Sequence, residues 1–172
     1  MKGLIHIYCG DGNGKTTAAV GLAVRAAGAG LRVLFLQFMK DGQTGELVSF
    51  ENIPNITVLC GKDTDKFVWS MDEQEIEKTK KIQCEKLEEA VRCAGEYDMV
   101  VFDEALGACC SGFLSDVMLC KFLDEKPEAL EVVLTGRNPS KEILARADYI
   151  SEIKKVKHPY DKGIYARKGI EH

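Results

Sequence analysis

The sequence predicts an α/β domain: a mostly parallel sheet of about six strands with helices on both faces. Three observations carry that expectation. Short apolar runs recur along the 172 residues, and several are apolar throughout, as strands buried on both faces of a parallel sheet should be. Helical patterns lie between the runs, which implies right-handed β-α-β crossovers. The first run leads directly into a glycine-rich turn that opens a helix. No internal repeat or low-complexity linker breaks the pattern, so residues 1–172 read as one domain.

The elements follow in order. "LIHIYC" (4–9) is the first strand, and a helix runs from Thr16 to about Ala27. "RVLFLQF" (32–38) is the second strand, followed by a loop from Met39 to Glu46. "ITVLC" (56–60) is the third, followed by a loop from Gly61 to Trp69. Ser70 and Glu73 have capping-box spacing and start a long polar helix ending near Gly95. "DMVVFD" (98–103) and "LEVVLTG" (130–136) are the fourth and fifth strands. Asn138-Pro139 reads as a cap and first-turn proline for a helix through "SKEILARA", before a last strand "DYISEI" (148–153). Both long loops follow strands, so both belong at the carboxyl edge of the sheet, where open α/β folds bind ligands.

Composition narrows the functional classes. Apolar residues make up 45% and charged residues 29%, as in an ordinary globular protein. A net charge of −4 argues against a nucleic-acid binder, and no apolar stretch has the length of a membrane span or signal peptide. The seven cysteines are odd in number and include no C-x-x-C pair. They read as reduced, mostly packed thiols of a cytosolic protein, with adjacent Cys109-Cys110 the one place where redox chemistry is conceivable.

The stretch "CGDGNGKTTAAVG" (9–21) carries the chemistry. A strand, then glycines, then Lys-Thr-Thr at a helix start is the context of a phosphate-binding loop, although Cys9 stands where G-x-x-x-x-G-K-[ST] has its first glycine. Gly10, Gly12 and Gly14 let backbone N–H groups turn toward phosphate, and the helix start adds its positive dipole end. Lys15 supplies a point charge, and the Thr16 hydroxyl a ligand for magnesium. Thr17, Gly21, Arg25 and Gly28 share one helix face, so Arg25 points either back toward the nucleotide or out to solvent. Asp103-Glu104 closes the apolar run "MVVF" and offers carboxylates to the metal. Arg137, after another strand, is placed to meet charge developing on phosphate oxygens. Of the histidines, His6 in its strand and His158 read as structural, and His172 is terminal. From Lys154 to Lys168 six Lys or Arg face one acid, Asp161. These residues alone describe binding of a nucleoside triphosphate with magnesium, and leave a kinase, an ATPase or a non-catalytic nucleotide-binding module open.

The ordered set "GDGNGKTTAAVGLAVRAAG", "VLFLQFMKDGQTGE", "KFVWSM", "VVFDEALGA", "VVLTGRNP" and "ADYISEIKKVKHPYDKGIYARKGIE" resembles the ATP:corrinoid adenosyltransferases of the phosphate-loop type. The resemblance implies the phosphate-loop (RecA-like) NTPase fold and attack of a Co(I) corrinoid on the 5′ carbon of ATP, with triphosphate leaving, in adenosylcobalamin biosynthesis or salvage. It assigns Gly10, Asp11, Gly12, Asn13, Gly14, Lys15, Thr16, Thr17 and Arg25 to ATP, and Phe67 and Trp69 to the corrinoid. Thr16 and Asp103 go to Mg2+ (or Mn2+), and Lys15, Glu104 and Arg137 to catalysis. A flavoprotein reductant and a cytoplasmic homodimer are implied as well. The sequence departs from the family pattern at Asn13, where many members carry lysine. It also begins at the first strand, where some members carry a preceding segment over the corrinoid.

Overall fold

The computed structural model describes residues 2–40, 42–59 and 71–170. Among these, six strands form one sheet in the order β3-β2-β4-β5-β1-β6, every pair parallel. The strands are β1 (Ile5–Cys9), β2 (Val33–Gln37), β3 (Ile56–Leu59), β4 (Met99–Asp103), β5 (Glu131–Gly136) and β6 (Tyr149–Glu152). Each lies within the run that predicts it. Parallel pairing places every carboxyl end at one edge of the sheet.

Strand side chains alternate between two apolar layers. Val33, Phe35, Val101 and Val133 pack under Ala19, Ala23 and Phe50 of α1 (Lys15–Gly28) and α2 (Gly45–Phe50). Leu34, Leu36, Phe102 and Leu134 pack under the other helices. These are α3 (Glu73–Cys93), α4 (Ala105–Cys110), α5 (Asp116–Glu125) and α6 (Lys141–Leu144). Helices therefore cover both faces, and β2 and β4 are buried along their whole length. The small residues of α1 let its backbone lie close over the centre of the sheet, which aims its amino end at the carboxyl end of β1.

Two helix starts differ from their sequence reading. The cap of α3 is Asp72, whose carboxylate accepts from the Glu75 N–H at 2.9 Å while Glu75 accepts from the Asp72 N–H at 3.0 Å. The reciprocal pair thus lies two residues beyond Ser70 and Glu73. The cap of α6 is Ser140, not Asn138. Asn138 takes a left-handed backbone (φ 50°), which a short polar side chain tolerates, and that turn delays the helix past Pro139.

His6 stacks on Tyr149 and pairs with Glu131, and His158 caps a short 3-10 turn by accepting from the Tyr160 N–H. Both are structural. The six described cysteines are free thiols, and burial pushes the Cys109 thiol far up, which makes it inert. No described helix is long and apolar enough to cross a membrane.

Candidate active site

Four neighbouring strands, β2, β4, β5 and β1, end beside a cleft of about 650 Å³. Its walls are residues 13–17 of the loop and α1, Lys40 and Thr44–Glu46 after β2, Glu104 after β4, and Gly169-Ile170 of the carboxyl-terminal stretch. The described non-glycine residues with left-handed backbones are Met39 (φ 54°), Glu104 (φ 59°) and Asn138 (φ 50°). They follow β2, β4 and β5 by one or two residues, so local strain gathers around this edge.

The loop runs from Gly10 to Gly14, and both of those glycines are left-handed, at φ 112° and 109°. Gly10 and Gly12 are also required by close approach. A Cβ on either would stand 2.4 or 2.8 Å from the Ile153 carbonyl oxygen. The chain leaving β6 lies against the loop: the Gly12 N–H donates to Ile153 O at 2.8 Å, and the Lys155 N–H to Asp11 Oδ1 at 3.0 Å. The Gly12 donor is thus already taken by the chain beyond β6.

Lys15 is buried, and its Nζ donates to the Gly12 carbonyl oxygen at 2.8 Å. Burial lowers its pKa, opposed by the nearby Glu104 carboxylate and assisted by Arg137. Thr16 Oγ1 donates to Asp103 Oδ1 at 2.9 Å, joining the first turn of α1 to the end of β4. Asp103 is fully buried. Its Oδ1 also accepts from Thr135 Oγ1 at 2.7 Å, and its Oδ2 accepts from Lys40 Nζ at 2.7 Å and Gln37 Nε2 at 3.3 Å. The Thr135 oxygen in turn accepts from the Glu104 N–H at 2.8 Å. Glu104 reaches the cleft over Gly107, where a Cβ would collide with its carboxylate. Burial, with Asp103 alongside, raises the Glu104 pKa, while Lys15, Lys40 and Arg137 hold it back.

The cleft thus gathers Asn13, Lys15, Thr16, Thr17 and Glu104, with Asp103 directly behind Thr16. Arg137 is exposed, yet its charge acts on Asp11, Lys15 and Glu104. Arg25 is exposed two turns along α1 from Thr17, where its charge bears on Tyr8, and it does not line the cleft. Phe67 and Trp69 lie outside the described residues. Sequence reasoning missed Gln37, Lys40, Glu46 and Thr135. Gln37 is fully buried at the end of an apolar strand, and its amide bridges Asp103 and Glu46, the latter at 2.7 Å. A glutamine closing "VLFLQ" is the signal that could have found it.

The oxygen donors here are of the type magnesium takes. Among the described residues no group of three or more His, Cys, Asp or Glu is arranged to hold an ion alone.

The family model described as ATP:corrinoid adenosyltransferase BtuR/CobO/CobP matches residues 1–172. The chain belongs to that family. Among its curated relatives, the corrinoid adenosyltransferase of Escherichia coli (strain K12) is 31% identical over 99% of this chain and 86% of the relative. The corrinoid adenosyltransferase of Pseudomonas aeruginosa is 29% identical over 99% and 84%, and the corrinoid adenosyltransferase CobA of Salmonella typhimurium 31% over 99% and 86%. Solved structures share the fold. ATPases 2 and 3 of EssC from Geobacillus thermodenitrificans superpose with a TM-score of 0.50 at 15% identity, covering 97% of this chain and 35% of that one. Those of EccC from Thermomonospora curvata give 0.53 at 16%, covering 91% and 32%. The chain spans about a third of each, so those two bear on architecture alone. This chain thus has a parallel sheet like that of these ATPases, with the glycine-rich loop at its carboxyl edge.

Proposed function

We propose that the protein, as one domain over residues 1–172, transfers the 5′-deoxyadenosyl group of ATP to the Co(I) centre of a corrinoid, within adenosylcobalamin biosynthesis or salvage. The whole-chain family match carries this reading, and the cleft supplies a physical basis for it. The cobalt electron pair forms the cobalt–carbon bond to C5′ as the C5′–O bond breaks, and the triphosphate departs with that bonding pair.

The chain's work is then to hold a leaving group. Gly10 to Thr17 cradle the triphosphate, and the Lys15 ammonium, anchored on Gly12 O, keeps two donors for phosphate oxygens. Arg137, whose charge already acts on Asp11, Lys15 and Glu104, is assigned to the charge that grows as the bond breaks, and Arg25 to the nucleotide, which it would have to reach from outside the cleft. Thr16 and Asp103 would hold Mg2+ or Mn2+, and Glu104 supports the metal or the ribose. Bound there, the cation supplies Lewis-acid stabilisation of the departing phosphates. Phe67 and Trp69 are assigned to the corrin, where they displace the lower axial ligand and so ease reduction by a flavoprotein. The enzyme is read as a cytoplasmic homodimer.

The test is incubation with chemically reduced cobalamin, ATP and magnesium. A light-sensitive cobalt–carbon product together with triphosphate is expected. ADP and phosphate without alkylated cobalamin would identify a kinase or ATPase, and no turnover would identify a binding module.

A further inference from the structure

Lys40 has no place in the chemistry above, yet its ammonium is held between two carboxylates at the site. Its Nζ sits 2.7 Å from Asp103 Oδ2 and 3.5 Å from Glu46 Oε1. Asp103 is fully buried, and the Lys40 and Glu46 side chains are only 24% and 18% exposed. Surface attraction does not account for this arrangement, because the backbone is bent to produce it. β2 ends at Gln37, Phe38 is buried, and Met39 then takes a left-handed conformation that a long side chain adopts at a cost. That turn returns Lys40 to the site. Helix α3 holds the bend from behind: Gln83 Oε1 accepts from the Met39 N–H at 3.2 Å, and Lys86 Nζ donates to the Gln37 carbonyl oxygen at 3.2 Å. Both side chains are buried.

The consequence for Asp103 follows from counting its acceptors. Oδ1 takes Thr16 and Thr135, and Oδ2 takes Lys40 and Gln37. The carboxylate is saturated and neutralised by the protein itself. A divalent ion arriving alone would have to displace an ammonium from a buried carboxylate, and would find no other ready cluster of acids among the described residues. A cation already chelated by phosphates arrives with most of its ligands and charge compensation supplied, and asks less of the protein.

We propose that Lys40 is the resident counter-cation of the Asp103–Glu46 pair, holding the place on Asp103 that a free divalent ion would otherwise take, so that metal enters with the nucleotide and not before it. This rests on the reading of Thr16 and Asp103 as the metal site.

The experiment titrates nucleotide-free protein with Mn2+ and follows the free ion by electron paramagnetic resonance. Lys40→Met should bind Mn2+ alone at least about tenfold more tightly than the parent, because the competing charge is gone. Lys40→Arg, which keeps the charge, should bind as the parent does. In Lys40→Met/Asp103→Asn the gain should vanish. Unchanged affinity in Lys40→Met, or the same gain in Lys40→Arg, overturns the proposal. Should Lys40→Met fail to fold, Lys40→Gln carries the same test. A parallel arm measures MnATP binding to Thr16→Ala. If that substitution leaves MnATP affinity unaltered, the metal-site reading itself fails. If it weakens binding while Lys40→Met leaves free Mn2+ binding unchanged, only the Lys40 proposal fails.

Discussion

The Lys15 ammonium donates to the Gly12 carbonyl oxygen across 2.8 Å, so the loop carries its own charge at its centre before any phosphate arrives. A lysine fixed this way loses little further rotamer freedom on binding, which favours affinity. Lys15→Met keeps the packed stem and removes the charge. MgATP affinity should fall about 10- to 100-fold, the worth of a charge-assisted hydrogen bond. Calorimetric titration measures it, and an unchanged constant would remove Lys15 from the phosphate site.

Thr135 joins both carboxylate residues, donating to Asp103 Oδ1 and accepting from the Glu104 N–H. Thr135→Val preserves shape and leaves that buried N–H without its acceptor. It should lower the unfolding free energy by about 1–3 kcal/mol, read from urea denaturation.

Glu104 sets a pH dependence of stability. Burial and Asp103 raise its folded-state pKa, so the folded protein holds this proton more tightly than the unfolded chain. The stabilisation is full below the ordinary carboxylate range and is lost as pH rises through the folded-state value. Glu104→Gln has no such loss. The variant should melt above the parent at neutral pH, with the difference narrowing on acidification, and should lose transferase activity. Scanning calorimetry across that range checks the sign.

Gly12 meets the chain beyond β6 closely enough that a methyl group has no room, its Cβ 2.8 Å from both Ile153 O and the Lys154 carbonyl carbon. Gly12→Ala should push that chain off the loop. Trypsin should then cut at Lys154, Lys155 or Lys157 about tenfold faster, as expected when overpacking of a kilocalorie or more shifts local opening. An unaltered cleavage rate would show that the contact contributes nothing.

Asn13 is exposed and lines the cleft. Asn13→Lys, which restores the charge many family members carry, should tighten MgATP about two- to fivefold, the worth of one solvent-facing charge. No change would place the side chain away from phosphate.

The strands were legible because burial on both faces leaves a continuous apolar run, as in "VLFLQ" and "MVVFD", that no surface segment shares. Lys15, Thr16 and Asp103 were legible because their spacing relative to a strand end is local. Lys40 was not. Its position depends on a bend at Met39 fixed by Gln83, 44 residues away, and a single polar residue in a loop carries no sign of that. The contact of Gly12 with Ile153 was equally hidden, since it is made by backbone across some 140 residues. The α3 cap was misplaced because Ser70 and Asp72 are both good capping residues, and only the Asp72–Glu75 reciprocity decides between them.

β6 lies at the outer edge beyond β1, and the chain leaving it passes the loop and brings Gly169 and Ile170 to the rim of the cleft. One backbone stretch therefore braces the glycine loop at its start and borders the cleft further on, so that a substitution beyond β6 is felt at both.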